Sequence, residues 1–220
     1  MKVALVLNGL PRNVKEGYEI YWKHIIENYD TDVYLHFWED ADWQDVLNVY
    51  NPTKFICQPP FPFTKYKENV TSVNDPMARP IKEYDVAGNF TSLPMFYSWQ
   101  SGYNLIDKKY DCIVRSRFDL GWEVPMDLSK FDLNKINVTN HHWANSKIID
   151  DNLLISNQQN CDLLLTDIFD TFCSIIQGDG LIHFAEQNFT NILIKKNLYQ
   201  YIYKSNDLNF KLLREFKVWY

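Results

Sequence analysis

Two arginines and an aspartate crowd the end of the stretch "YDCIVRSRFDLGW", residues Tyr110 to Trp122. Ile113 and Val114 suit a sheet interior, and Arg115, Arg117 and Asp119 come next, before the chain turns at Gly121. A carboxylate at the end of a central strand is suited to Mg²⁺ or Mn²⁺, hard cations that take oxygen ligands and bridge to phosphates. The guanidiniums could grip those phosphates or orient the carboxylate. The plain alternative is a structural Arg–Asp ion pair at the sheet edge.

Other stretches carry weaker signals. "NGLPRN", from Asn8 to Asn13, lies between an apolar run and a helical pattern. Ligands of open α/β sheets sit at the carboxyl ends of strands, where Gly9 lets backbone approach a phosphate or base. Arg12 and the helix N-terminus favour an anion there; a tight turn with a solvated arginine is the alternative. Trp38, Glu39 and Asp40 end the next apolar run and suit a base or ribose, or simply cap the next helix. His141, His142 and Trp143 precede Asp150, Asp151 and Asn152. On a strand, adjacent carboxylates face opposite ways, so one of the pair could meet a reacting hydroxyl as a general base while the other caps or turns the chain; an Asp/Asn turn reads equally well. Glu186 falls in the first turn of a helical pattern, where a carboxylate is stabilising in any case.

The elements that must position these groups are read from periodicity. Val3 to Leu7 reads as a buried parallel strand. A helix over 14 to 28 with Asn13 as its cap comes next, then a strand over Asp32 to Trp38. A short helix over 42 to 49 and a strand over Lys54 to Cys57 complete a β-α-β-α-β run, which predicts a parallel sheet with right-handed crossovers. Gln58 to Pro80 holds five of the nine prolines and reads as an irregular excursion, a lid or acceptor groove. A helix over Met95 to Asp107 leads to a strand over Tyr110 to Arg115. Further strands are expected at Lys135 to Val138 and Lys147 to Ile155, and amphipathic helices at Leu163 to Ile176 and Phe184 to Lys196. The short runs Tyr199 to Tyr203 and Phe210 to Leu213 end the chain.

With 220 residues the expectation is one domain. A net charge of −6 argues against a nucleic-acid binder, which needs clustered Lys and Arg. The aromatic share of 16% exceeds what a modest core needs, so some rings are expected on a binding surface. Cys57, Cys112, Cys161 and Cys173 show no CxxC pairing and read as buried thiols of a reducing, cytoplasmic compartment. No run reaches the ~20 apolar residues of a membrane span.

Taken in order, "NGLPR", "MFYSWQSGYNLI", "YDCIVRSRFDL", "IIDDNLLIS" and "HFAEQNFTNILIKKNL" resemble a group of GT-A-type glycosyltransferases of bacterial surface-polysaccharide clusters and large DNA viruses. Their R-x-R-x-D strand end is the most specific of these motifs. The resemblance implies a single GT-A-like α/β domain with a mixed, mostly parallel central sheet flanked by helices. It also implies transfer of a hexose from a nucleoside diphosphate sugar, UDP favoured, to a glycan or other hydroxyl. Residues 1–120 would form the nucleotide-binding half and 121–220 the acceptor side. By position, Asp119 stands for the metal-binding aspartate, with Mn²⁺ or Mg²⁺ as cofactor. Arg115 and Arg117 stand for its flanking arginines, and Asn8, Gly9, Arg12 and Trp38 for the nucleotide side. Asp151 and Glu186 stand for the catalytic carboxylates. Arg117 replaces the first aspartate of a full DxD, Phe118 a usual proline, and Ala185 the proline before Glu186. Two other readings stay open: an inactive nucleotide- or glycan-binding module, and a nucleotidyltransferase.

Overall fold

Every side chain from Val3 to Leu7 is fully buried, as expected of a strand at the heart of a sheet covered on both faces. The computed structural model describes residues 1–39, 43–60, 63, 73–74, 92–122, 126–140, 147–178, 181–182, 185–208 and 210–213. Asp40, His141, His142, Trp143, His183, Phe184 and most of the proline-rich excursion lie outside them.

The chain opens with β1 (Lys2–Gly9), α1 (Val14–Tyr21), a π-helical turn (Trp22–Ile26), β2 (Asp30–Trp38), α2 (Trp43–Tyr50) and β3 (Lys54–Gln58). Next come β4 (Val73–Asn74), α3 (Ser92–Tyr103), β5 (Cys112–Arg117), β6 (Leu120–Gly121), β7 (Ile136–Thr139) and β8 (Leu154–Ser156). The last part holds α4 (Gln158–Leu165), α5 (Ile168–Gly178), β9 (Leu181–Ile182), α6 (Ala185–Lys195), β10 (Ile202–Ser205) and β11 (Lys211–Leu212). The main sheet has seven strands in the order β10-β7-β8-β5-β1-β2-β3. Its pairs are parallel except those made by β8, which runs against both β5 and β7. The fold is thus α/β with a mixed, mostly parallel sheet flanked by helices.

Two apolar cores cover the two faces. Tyr21, Ile25, Val46 and Tyr50, from α1, the π turn and α2, pack on Leu5, Leu7 and Val114. Phe96 and Trp99 of α3, Phe172 of α5 and Phe189 of α6 pack on Ala4, Val6 and Ile113. Most of the aromatic excess sits in these cores: Trp38, expected on the nucleotide side, is 5% exposed and stacks on Tyr97.

Several sequence expectations shift. Asn13 makes no side-chain cap; it adopts a left-handed conformation at φ 50°, and its carbonyl accepts from Gly17 N at 2.8 Å. The strand expected over Lys147 to Ile155 is paired only from Leu154, because the preceding residues form a turn. The helix expected over Leu163 to Ile176 is two helices, and part of the proline-rich excursion, β4, pairs with β9. The strand expected to stop at Arg115 runs on to Arg117, so Arg115 lies inside the sheet.

Two glycines set how closely helices approach the strand ends. A Cβ on Gly17 of α1 would lie 2.1 Å from the carbonyl oxygen of Phe118. One on Gly102 of α3 would lie 2.2 Å from Nδ2 of Asn8. Gly17→Ala is therefore expected to push α1 off the turn after β5 and to cost about 1–3 kcal/mol, as overpacking does. Denaturant melts of the two proteins check this, and equal midpoints would show that the contact yields freely.

Candidate active site

Side chains alternate along β5, and that alternation builds the site. Cys112 and Val114 face the α1–α2 core, while Ile113 faces α3 and α6. Arg115 and Arg117 share the face of Ile113. Ser116 faces α1, where Tyr21 donates to its Oγ at 2.7 Å or to the carbonyl of Arg117. Burial pushes the Tyr21 hydroxyl above its usual range, so it stays a donor.

Arg115 is 2% exposed. Its guanidinium carbon lies 3.3 Å over the Trp99 ring of α3, a cation–π contact at its most effective away from water. Nη1 donates to the carbonyls of Asp151 at 2.5 Å and Asn152 at 3.4 Å, and Nε to Oδ1 of Asn8 at 3.4 Å. Among the described residues no carboxylate forms a direct salt bridge with it, although the negative charges of Asp151 and Asp150 lie near enough to favour its charged form. Burial disfavours its charge, but a guanidinium remains protonated in proteins. The Asn8 amide in turn donates to the carbonyl of Ser98 at 2.9 Å, and the Ser98 hydroxyl lies 2.7 Å from Nδ1 of His36. Burial lowers His36 to about 4, so this relay ends in a neutral imidazole.

Arg117 sits one pleat nearer the carboxyl end. Nε and Nη2 grip the two oxygens of Asp119 at 2.8 and 3.0 Å, and Nη1 donates to Oδ1 of Asn152 at 3.0 Å. Asp119 lies in the turn after β5, and its carbonyl accepts from Leu213 N at 2.8 Å. Asn152 is held in an Asx turn, with Asp150 Oδ1 accepting its backbone N–H at 2.8 Å. Its amide also approaches both Asp150 oxygens, at 3.2 and 3.3 Å. A continuous chain Asp119–Arg117–Asn152–Asp150 results.

Asp151 is set apart. It is 8% exposed, and among the described residues no hydrogen bond reaches its carboxyl group. Burial, with the negative charges of Glu186 and Asp150, raises it to about 7 against the opposing pull of Arg115 and Arg117. Glu186 is brought near by the first turn of α6. Thr190 Oγ1 of that helix bonds the Glu186 carbonyl at 2.8 Å and accepts from Ile149 N at 2.9 Å.

The structure thus gathers Asn8, Arg115, Arg117, Asp119, Asp151 and Glu186 around the carboxyl ends of β1 and β5. Gly9 ends β1 at φ +105°, a conformation L side chains rarely adopt, and Arg12 is exposed on the loop beyond. Trp38, at the end of β2, is buried against Tyr97 and His36. Trp99, Ser98 and Asn152 had no role assigned from sequence. A tryptophan at helical spacing signals core, and only the tertiary contact marks it as a support for Arg115.

The Mg²⁺ or Mn²⁺ expected at Asp119 does not fit the described donor set. Both carboxylate oxygens are held by Arg117, and among the described residues no three His, Cys, Asp or Glu side chains converge. Among these residues, too, no helix is long and apolar enough to cross a membrane.

No family model and no curated protein matches the sequence. Solved glycosyltransferases share its overall shape to a limited degree. Mouse xyloside xylosyltransferase 1 aligns at 9% identity and TM-score 0.40, over 93% of this chain and 84% of its own. GlyE of Streptococcus pneumoniae aligns at 12% and 0.48, over 90% of this chain; the chain spans only 44% of GlyE. The galactosyltransferase LgtC aligns at 12% and 0.45, over 92% of this chain and 72% of its own.

The raised Asp151 has a thermodynamic consequence. The native state binds its proton more tightly than the unfolded chain, so its contribution to stability is full below about pH 4 and is lost as pH rises through about 7. Asp151→Asn should remove that loss. The variant should gain stability relative to the native protein as pH rises from about 5 to about 8, as read from denaturant melts. Parallel curves would mean an ordinary carboxylate.

Proposed function

We propose that the chain is a glycosyltransferase. It moves a hexose from a nucleoside diphosphate sugar to a hydroxyl of a glycan acceptor, with residues 1–120 holding the donor and 121–220 the acceptor side. One observation carries this reading. Among the described residues, a buried guanidinium with no direct salt bridge stands near a buried carboxyl without a hydrogen bond, toward the carboxyl end of the central strand β5. The first suits an anionic leaving group and the second a hydroxyl. The preference for UDP rests on the resemblance of the R-x-R-x-D strand end, as does a cytoplasmic site of action.

In the reaction the bond from the anomeric carbon to the diphosphate oxygen breaks, and its electron pair leaves with that oxygen. The acceptor oxygen bonds the anomeric carbon and passes its proton to the Asp151 carboxylate. Arg115 and Arg117 meet the charge developing on the diphosphate from fixed positions, so no reorganisation is needed as it forms. Burial, helped by the charges of Glu186 and Asp150, brings the pKa of the base to about 7, where proton acceptance is most efficient at physiological pH. Asn8, Gly9 and Arg12 border the nucleotide, and Trp38 supports that wall from the core.

The test is hydrolysis-corrected transfer from a panel of UDP- and GDP-hexoses to oligosaccharide acceptors. Asp151→Asn should lower the rate about 10²- to 10⁴-fold, the range of a lost general base, with donor binding retained. The native rate should rise with pH to a plateau above about 7, because the base must be unprotonated. Donor binding without turnover on any acceptor would instead identify a nucleotide-sugar-binding module.

A further inference from the structure

We infer that this site offsets the diphosphate charge with arginine side chains and no divalent cation, and that Asp119 is a positioning residue for Arg117. The inference rests on the glycosyl-transfer reading and concerns the same site.

The donor geometry carries it. Asp119 spends both oxygens on Nε and Nη2 of Arg117, at 2.8 and 3.0 Å, and its side chain is 3% exposed. This two-point fork fixes the plane of the guanidinium as well as its place. The third nitrogen is fixed by Asn152 at 3.0 Å, and Asn152 is itself clamped by Asp150. Leu213 N ties down the backbone beneath the carboxylate. A cation at Asp119 would have to share oxygens that Arg117 already engages and stand beside its positive charge. Among the described residues, no group of three carboxylate, imidazole or thiolate side chains converges to hold such an ion.

The arginines are well equipped for the alternative. A guanidinium has five N–H donors. Arg117 uses Nε and one N–H on each terminal nitrogen, which among the described residues leaves one on each terminal nitrogen for a ligand. Arg115 uses Nε and Nη1, which among the described residues leaves its Nη2 amino group. Arg117 is 29% exposed and sits toward the strand end, so a diphosphate approaching there meets it first and Arg115 behind it. As the electron pair of the broken glycosidic bond moves onto the diphosphate, these N–H groups receive the added charge.

The experiment is calorimetric titration of the full chain with UDP, GDP and their hexose conjugates, in excess EDTA and again with Mn²⁺. The expected result is an affinity that agrees within about twofold between the two solutions. Asp119→Asn should weaken binding about tenfold in both alike, the cost of losing one charge-assisted fork. Binding that needs Mn²⁺, or tightens more than tenfold with it, overturns the inference and leaves the glycosyltransferase reading standing. Binding by none of the nucleotides in either solution overturns that reading too. The comparison in native protein needs no variant, so a misfolded Asp119→Asn protein would not rescue the idea.

Discussion

Burying one guanidinium in a central strand constrains much of this structure. Removing Arg115 from water costs several kcal/mol unless its donors and charge are met locally. The protein meets them with two backbone carbonyls, an amide oxygen and the face of an indole. These come from three different places: the turn before β8, the end of β1, and the middle of α3. The turn must aim the carbonyls of Asp151 and Asn152 at one point. A strand cannot do that, since its successive carbonyls point opposite ways. Hence β8 begins only at Leu154.

The same turn sorts the acids by their partners. Asp150 closes the Asx turn, and Asp119 forks onto Arg117. Asp151, whose backbone carbonyl is spent on Arg115, keeps a side chain with no such partner among the described residues. Carboxylates of one chemical type therefore end as a turn cap, an ion-pair partner and, among the described residues, a buried acid without a hydrogen bond, according to what surrounds them. Removing a middle member such as Asn152 would strand groups on both sides, because buried polar networks are costly when half satisfied.

Close helix approach holds the arrangement from both faces. Gly17 lets α1 touch the Phe118 carbonyl, and Tyr21 one turn later reaches Ser116. On the other face Gly102 lets α3 close on Asn8, which places Trp99 under Arg115. The site is thus built on strands and helices rather than on loops alone, which favours fixed geometry.

Local pattern sufficed for the frame. The apolar run Val3 to Leu7, its neighbours at Asp32 to Trp38 and Lys54 to Cys57, and the helices between them were legible within about two residues, because buried parallel strands and amphipathic helices write themselves in period. The charged end of β5 and the run Asp150 to Asn152 were legible as polar clusters, and the fold brings the two together. The rest depended on contacts between distant residues. Arg115 read as a strand terminus because a charge inside a sheet is unfavourable unless Trp99, Asn8 and two carbonyls are there to meet it, and they come from 16 to 107 residues away. Asp119 read first as a metal ligand, with an ion-pair partner as the alternative, since its neighbours in sequence fit both. Only folding set Arg117 against both of its oxygens and, among the described residues, left the Asp151 carboxyl without a hydrogen bond, for partner choice in three dimensions decides what a buried carboxylate does.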